Sequence, residues 1–305
     1  MHVAVLGAGS LGTLLAAKLE STAIDVTLIG RPGRHLDAAA ADGIRLHRGD
    51  GTVTTVSVAV TDDHAAVSDA DLLMLAVKSY DTASAMADVA ECLDGATVLT
   101  VQNGLGNAET IADVVPRARV LVGTTAHGAF LSEPGHVHHA GAGETVIGRY
   151  FGDVDEELQT IADTLSRAGI ATSVTADPRD ALWEKVLVNV AINAATSLAR
   201  VPNGHLVDNP AGERLVERAI EEGVAVARAD GRSVDDEITD VAKTVARKTA
   251  SNRSSMLQDV EAGSQTEIES LNGAIVTRGA AQDIETPVNR TLADLVRLAE
   301  TLAVE

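Results

Sequence analysis

The hexapeptide "GAGSLG" at residues 7–12 constrains the fold more than any other stretch of the chain. It follows "HVAVLGA", which reads as a strand, and opens "GTLLAAKLES", which reads as a helix. A G-x-G-x-x-G in that position is the fingerprint of a βαβ unit that binds a dinucleotide. Gly7 permits the tight turn, Gly9 lets the backbone approach a pyrophosphate, and Gly12 lets the helix sit close to the strand. Ala8, Ser10 and Leu11 complete the loop, whose helix end offers N–H groups and a positive dipole to phosphates.

Four more apolar segments extend the same architecture. "DVTLIG", "DLLMLAV", "ATVLTVQN" and "RVLVGTTA" are short runs bounded by polar or turn residues. Continuous rather than alternating apolarity marks strands buried on both faces. Strands that alternate with helices predict an α/β fold, a doubly wound parallel sheet. "FLSEPGHVHHAGAGETVIG" then reads as a hairpin with Pro-Gly and Gly-rich turns. The texture changes near 172–180. From "DPRDALWEKVLVNVAINAATSLA" onward the apolar spacing is three and four, predicting a nearly all-helical second half. The reading is two domains, residues 1–175 and 176–305.

The second predicted strand selects the dinucleotide. Versions that bind NAD place an Asp or Glu near the end of that strand, to hold the ribose 2′-hydroxyl. Here "DVTLIG" ends at Gly30 and is followed by Arg31, with Arg34 close by, while Asp25 lies at its start. An arginine there offers a charge-assisted fork to a 2′-phosphate, which favours NADP.

Charge excludes several partners. The net charge is −20, which repels nucleic-acid phosphates and anionic membranes. Only five of the 24 basic residues are lysine, and an acidic, lysine-poor surface suggests adaptation to high salt, where screening relieves self-repulsion. Cys92 stands alone, so no disulfide framework or Cys-rich metal site is expected. Neither a leader segment nor a membrane-spanning apolar run is read, so the expectation is a soluble, cytoplasmic protein. A homodimer is admitted but not argued by the residues.

Polar residues in apolar surroundings are the candidate site. Lys78, after "LMLAV", and Asn103, in "VQNGLG", fall at the ends of successive predicted strands, where open α/β sheets bind ligands. Lys185, Asn189 and Asn193 interrupt the greasy helix "WEKVLVNVAIN" at spacings of four, so they stack on one face. Lys185 could instead snorkel to water, and the amides could be satisfied by backbone. Against that, burying each unpaired costs ~1–3 kcal/mol, and a stripe facing a ligand accounts for all three. "NRSSMLQDVEAGSQTEIESLNG" supplies Asn252, Ser255 and Glu267, which by composition alone read as two helix caps. His136 and His138 read as exposed hairpin histidines, and no metal site is predicted.

Taken in order, "GAGSLG", Arg31, "AVKSYDT", "QNGLG", "WEKVLVNVAINAATSLARVPNG" and "NRSSMLQDVEAGSQTEIESLNG" resemble the ketopantoate reductase (2-dehydropantoate 2-reductase) family over nearly the whole chain. The resemblance implies an N-terminal Rossmann domain, a helical C-terminal domain of the 6-phosphogluconate dehydrogenase type, and an active site between them. It implies NADPH-dependent reduction of 2-dehydropantoate to (R)-pantoate, on the route to pantothenate and coenzyme A. By the same resemblance Lys185 is the catalytic lysine and Glu267 the active-site glutamate. Asn103 lies near nicotinamide and substrate, Lys78 belongs to the nucleotide cleft, and Arg31 is the 2′-phosphate arginine. Asn189, Asn193, Asn203, Asn252 and Ser255 match substrate-binding positions. Two rivals stand beside this reading: a same-fold reductase of another 2-oxo or 3-hydroxy acid, and a non-catalytic NADP-sensing protein.

Overall fold

A computed structural model describes residues 1–22 and 24–301. The chain divides into two compact units, residues 1–102 with 107–178, and Asn103–Gly106 with Arg179 onward. The division at Pro178/Arg179 falls three residues beyond the texture change read at 175/176. No compositional signal announces that the 103–106 loop groups with the second unit.

The first unit is a strand-and-helix alternation. Its described strands are β1 (His2–Leu6), β2 (Asp25–Ile29), β3 (Ile44–His47), β4 (Val53–Val56), β5 (Ala59–Thr61) and β6 (Leu72–Leu75). They continue as β7 (Thr97–Thr100), β8 (Val120–Thr125), β9 (Gly128–Glu133), β10 (His136–Gly141), β11 (Thr145–Arg149) and β12 (Thr172–Val174). The helices are α1 (Ser10–Glu20), α2 (Arg34–Asp42), α3 (Thr82–Val89), α4 (Asn107–Ala112) and α5 (Glu156–Arg167). Eight strands form one sheet in the order β12-β11-β8-β7-β6-β1-β2-β5. All of its pairings are parallel except β11 with β8. The residues of β6 and β7 are buried throughout, as their uninterrupted apolar sequences predicted. The largest fully buried side chains of this unit are Leu, Ile and Met, consistent with a chain of 2% aromatics.

A second sheet, β4-β3-β10-β9, was only half legible. Its hairpin β9–β10 turns at Pro134–Gly135 as predicted, but β3 and β4, "IRLH" and "VTTV", were not read as strands. Both are short and polar on one side, which leaves no long apolar run to notice.

The second unit is helical: α6 (Pro178–Ala199), α7 (Gly204–Val207), α8 (Pro210–Ala229), α9 (Ile238–Lys248), α10 (Ser255–Glu261), α11 (Asn272–Ala281) and α12 (Pro287–Thr301). Helix α6 starts on Pro178, whose missing N–H costs nothing in a first turn. It stops at Arg200, which adopts the left-handed conformation (φ 54°) ahead of Val201-Pro202.

Candidate active site

In the first unit the candidate site is backbone. Strand order reverses at β1, with β2 on one side and β6 on the other. Ligands of open α/β sheets bind beyond the carboxyl ends of the strands at such a reversal. The two loops that leave there press together: a Cβ on Gly7 would lie 2.6 Å from Ala76 C and Val77 N. One on Gly12 would lie 1.9 Å from the Gly7 carbonyl oxygen, so both positions demand glycine. Gly9 differs, because a Cβ there meets no atom within 4 Å. It lines open space at the start of α1, whose first turn carries no acidic side chain. An open backbone cradle at a positive helix end fits a pyrophosphate.

Lys78 is half-buried three residues beyond β6, where it leads into the turn Ser79–Asp81. A buried amide that the sequence motifs did not bring out braces this loop. Gln102 donates to the Val77 carbonyl (2.9 Å) and to Thr82 Oγ1 (2.8 Å). The Thr100 hydroxyl donates back to Gln102 Oε1 (2.9 Å), and that of Thr82 to Asn107 Oδ1 (2.9 Å). Gln102 stands next to Asn103 at the end of β7, and that adjacency was the available signal.

Past β2 there is no strand-end carboxylate, and Asp25 opens the strand at its other end. Arg31 is 86% exposed and donates to Asp81 Oδ2 at 3.2 Å. Arg34 is exposed at the first position of α2. Both guanidinium groups are accessible to an anion, and Asp81 competes for one of them.

In the second unit a polar group centres on Lys185. Burial pushes its ammonium down from 10.5 to about 8, against an opposing pull from the Glu267 carboxylate. Glu267 is 7% exposed. It sits in a turn, not at the start of a helix, so the capping alternative does not describe it. Thr266 fixes that turn: its N–H donates to Glu300 (2.7 Å) and its Oγ1 accepts from the Ile268 N–H (3.2 Å). Asn103 Nδ2 donates to Glu267 Oε2 at 3.3 Å. Its loop is held by the Leu105 N–H donating to the Ser270 carbonyl (2.9 Å). Gly104, at φ +88°, allows this approach, since a Cβ would lie 2.3 Å from Ser270 Oγ. Lys185, Glu267 and Asn103 thus form one electrostatic group, a grouping that the residues alone did not announce and that only the family resemblance implied.

Two family models cover the chain: Ketopantoate reductase PanE/ApbA over residues 3–152, and Ketopantoate reductase PanE/ApbA C terminal over 177–300. A 2-dehydropantoate 2-reductase of Halobacterium salinarum is 53% identical over 98% of this chain and 99% of its own length. A crystal structure of a PanE/ApbA family ketopantoate reductase from Ralstonia eutropha superposes with a TM-score of 0.92 at 35% identity, covering 100% of both chains. This chain belongs to the ketopantoate reductase family. D-mandelate dehydrogenase, solved with NADH and anilino(oxo)acetate, gives a TM-score of 0.94 over 100% of both chains, but at 24% identity it shows the shared fold alone.

The remaining positions that the family resemblance singled out divide into two groups. Along α6, Asn189 is half-buried and Asn193 is buried. Among the described residues neither side-chain amide hydrogen-bonds within the protein, so satisfaction by backbone does not account for them. Asn203 is turned inward instead: its Nδ2 donates to Thr249 Oγ1 (2.9 Å), and its Oδ1 is buried without a partner. Its N–H donates to the Asn252 carbonyl (3.0 Å), which brings those two motifs together. Asn252 and Ser255 are exposed. Ser254, not Ser255, caps α10 by accepting from the Leu257 N–H, so the Ser255 side chain is not used as a cap.

The histidines are a correction. His136 and His138 are not exposed; they pack across the second sheet. His136 Nδ1 lies 3.1 Å from His47 Nε2, and the His138 ring stacks on His47 (4.1 Å) and on Phe130 (4.6 Å). Rings in adjacent strands on one face meet this way because cross-strand neighbours are ~5 Å apart, and β3 went unrecognised. Among the described residues no group of three or more His, Cys, Asp or Glu is arranged to hold a metal ion.

Proposed function

We propose that this chain is a 2-dehydropantoate 2-reductase, which converts 2-dehydropantoate and NADPH to (R)-pantoate and NADP⁺ on the route to pantothenate and coenzyme A. The observation that carries the reading is the polar face of α6. A lysine poised near pH 8 shares this face with two amides that make no internal side-chain hydrogen bond among the described residues, and a bound oxo acid gives each of them a role.

Bound NADPH supplies the hydride that reaches the ketone carbon. The chain's residues do the rest. Gly7, Ala8, Gly9, Ser10, Leu11 and Gly12 cradle the pyrophosphate with backbone, and Arg31 holds the 2′-phosphate. Lys78 faces the nucleotide, and Asn103 orients the nicotinamide and substrate. As charge develops on the ketone oxygen, the Lys185 ammonium stabilises it and then delivers its proton there. Glu267 holds Lys185 charged and receives a substrate hydroxyl, while Asn103 fixes the Glu267 carboxylate. Asn189, Asn193, Asn252 and Ser255 hold the carboxylate and hydroxyl of the substrate, which sets near-attack geometry, while the inward-turned Asn203 braces the Asn252 segment through its N–H.

The same reading places the enzyme in a salt-rich cytoplasm. Of the five lysines only Lys248 is exposed, while the chain as a whole carries −20. Among the described residues no helix is long and apolar enough to cross a membrane.

The test is NADPH oxidation against 2-dehydropantoate and a panel of simple 2-oxo acids. Preference for 2-dehydropantoate by kcat/KM supports the proposal. Preference for another member of the panel reassigns the substrate, and binding of NADPH with no turnover on any member replaces catalysis with sensing.

A further inference from the structure

The polar stripe of α6 does not end at Asn193. Thr196 lies eleven residues after Lys185, three turns at ~3.6 residues each, and so on the same face. It is fully buried, and its hydroxyl is 2.8 Å from the Ile192 carbonyl and 3.1 Å from that of Asn193. It is also 2.8 Å from the hydroxyl of Ser254, itself 6% exposed.

Either hydroxyl could donate in this contact, but one arrangement uses both protons. Carbonyls only accept, so in it the single Thr196 proton goes to the backbone of α6. Thr196 then accepts from Ser254. With its proton spent, Ser254 uses a lone pair to accept from the Leu257 N–H at 3.1 Å. A one-way chain results, Leu257 N–H to Ser254 to Thr196 to the Ile192 carbonyl. It fastens the start of α10 to α6 one turn beyond Asn193. Ser255 follows the cap directly. Asn252 precedes it by two residues, and its carbonyl is held by the Asn203 N–H.

We propose that Thr196 and Ser254 are positioning residues, which set the distance along α6 between the Lys185 ammonium and the Asn252–Ser255 segment. This rests on the reductase reading, in which Lys185 serves the ketone while Asn252 and Ser255 hold the substrate's other polar groups. Neither hydroxyl of the pair touches substrate. Their work is to keep two groups at opposite ends of one small oxo acid in register, so loosening them weakens substrate recognition and spares the proton transfer.

Four variants test this: Thr196→Val, Ser254→Ala, the double variant, and Thr196→Ser. Thr196→Val keeps shape and removes the relay. It should raise KM for 2-dehydropantoate about tenfold, the size of one lost buried hydrogen bond, with kcat within about threefold and the Kd of NADPH unchanged. Ser254→Ala should do the same, and the double variant should be no worse than the weaker single variant because one chain is broken once. Thr196→Ser should restore KM. An unchanged KM in folded Thr196→Val, equal losses in kcat and NADPH affinity, or additive effects in the double variant would each overturn the proposal. Should Thr196→Val not fold, Ser254→Ala and the Thr196→Ser rescue carry the same comparison. Hydrogen exchange gives a readout independent of the substrate: the Leu257 amide should lose protection in Thr196→Val and regain it in Thr196→Ser. Wild-type protein inactive on 2-dehydropantoate would overturn the reductase reading, and an amide that stays protected would overturn the relay itself.

Discussion

The electrostatics of Lys185 make a prediction that few other roles would share. Its descent from 10.5 to about 8 corresponds to ~3 kcal/mol disfavouring the ammonium, at ~1.4 kcal/mol per pH unit. A proton donor works only while it holds its proton, so kcat/KM should be flat on the neutral side and fall tenfold per pH unit above about 8. Lys185→Ala should cut kcat at least ~100-fold. Glu267 raises the affinity of Lys185 for its proton, so Glu267→Gln must move the limb to lower pH. Even at a separation of ~10 Å with an effective dielectric of ~20, unit charges interact by ~1.7 kcal/mol, about one pH unit. At pH 8 that shift leaves Lys185 roughly one-tenth protonated in place of one-half, about a fivefold loss of kcat/KM from titration alone.

The assay is kcat/KM for 2-dehydropantoate, from initial rates of NADPH oxidation over a range of substrate concentrations from about pH 5.5 to 10, for wild type and Glu267→Gln. A limb that begins above pH 10, or one that Glu267→Gln leaves in place, would sink the assignment of Lys185 as donor. Stability gives a second arm with its own sign. Between about pH 8 and 10.5 the unfolded chain holds a proton at Lys185 that the folded chain has released. Wild type should therefore gain stability relative to Lys185→Met as pH rises through that window, and show no such gain below it.

Three further outcomes are expected. Gly9→Ala should leave the melting temperature nearly unchanged yet weaken NADPH binding at least about tenfold, because its Cβ enters space reserved for phosphate; Gly12→Ala should destabilise the fold by roughly 1–3 kcal/mol or more, and a reversal of the two would refute the cradle. Arg31→Ala removes a charge-assisted contact worth ~1.5–3 kcal/mol and should raise KM for NADPH about 10- to 100-fold, with KM for NADH nearly unmoved; parallel losses for both cofactors would remove the 2′-phosphate role. Melting temperature should rise from dilute buffer to molar KCl as the −20 charge is screened, and indifference to salt would refute the salt adaptation.

Sequence patterns reach the parts of this protein whose physics is local. "GAGSLG" announced its turn because glycine at 7 and 12 is a steric requirement, and β6 and β7 announced themselves by unbroken apolarity. The stripe on α6 was legible because a helix converts spacing of four into a shared face. The illegible parts depended on long-range partners. β3 and β4 are too short and polar to declare themselves. His136 and His138 could not be seen to stack without β3, and Gln102 looked like a neighbour of Asn103 until its two acceptors were in place. Glu267 shows the sharpest reversal. Its sequence context matched a helix cap, yet the segment folds as a turn with the carboxylate against Asn103.

The lysine content ties surface to site. Some lysine positions cannot be filled by arginine. Lys185 is such a place, because burial can bring an ammonium to about 8 while a guanidinium stays charged at any working pH and cannot surrender its proton. Lys243 sits largely buried between Glu217 (2.6 Å) and Glu213 (3.7 Å), where a compact charge on a flexible stem fits. Lys78 stands where strand order reverses, beside the nucleotide loop. In a relative rich in lysine, Lys185 would be one of many and its chemistry would have to be inferred from position alone. Here scarcity narrows the candidates to five, and burial opposed by the Glu267 carboxylate distinguishes Lys185 among them.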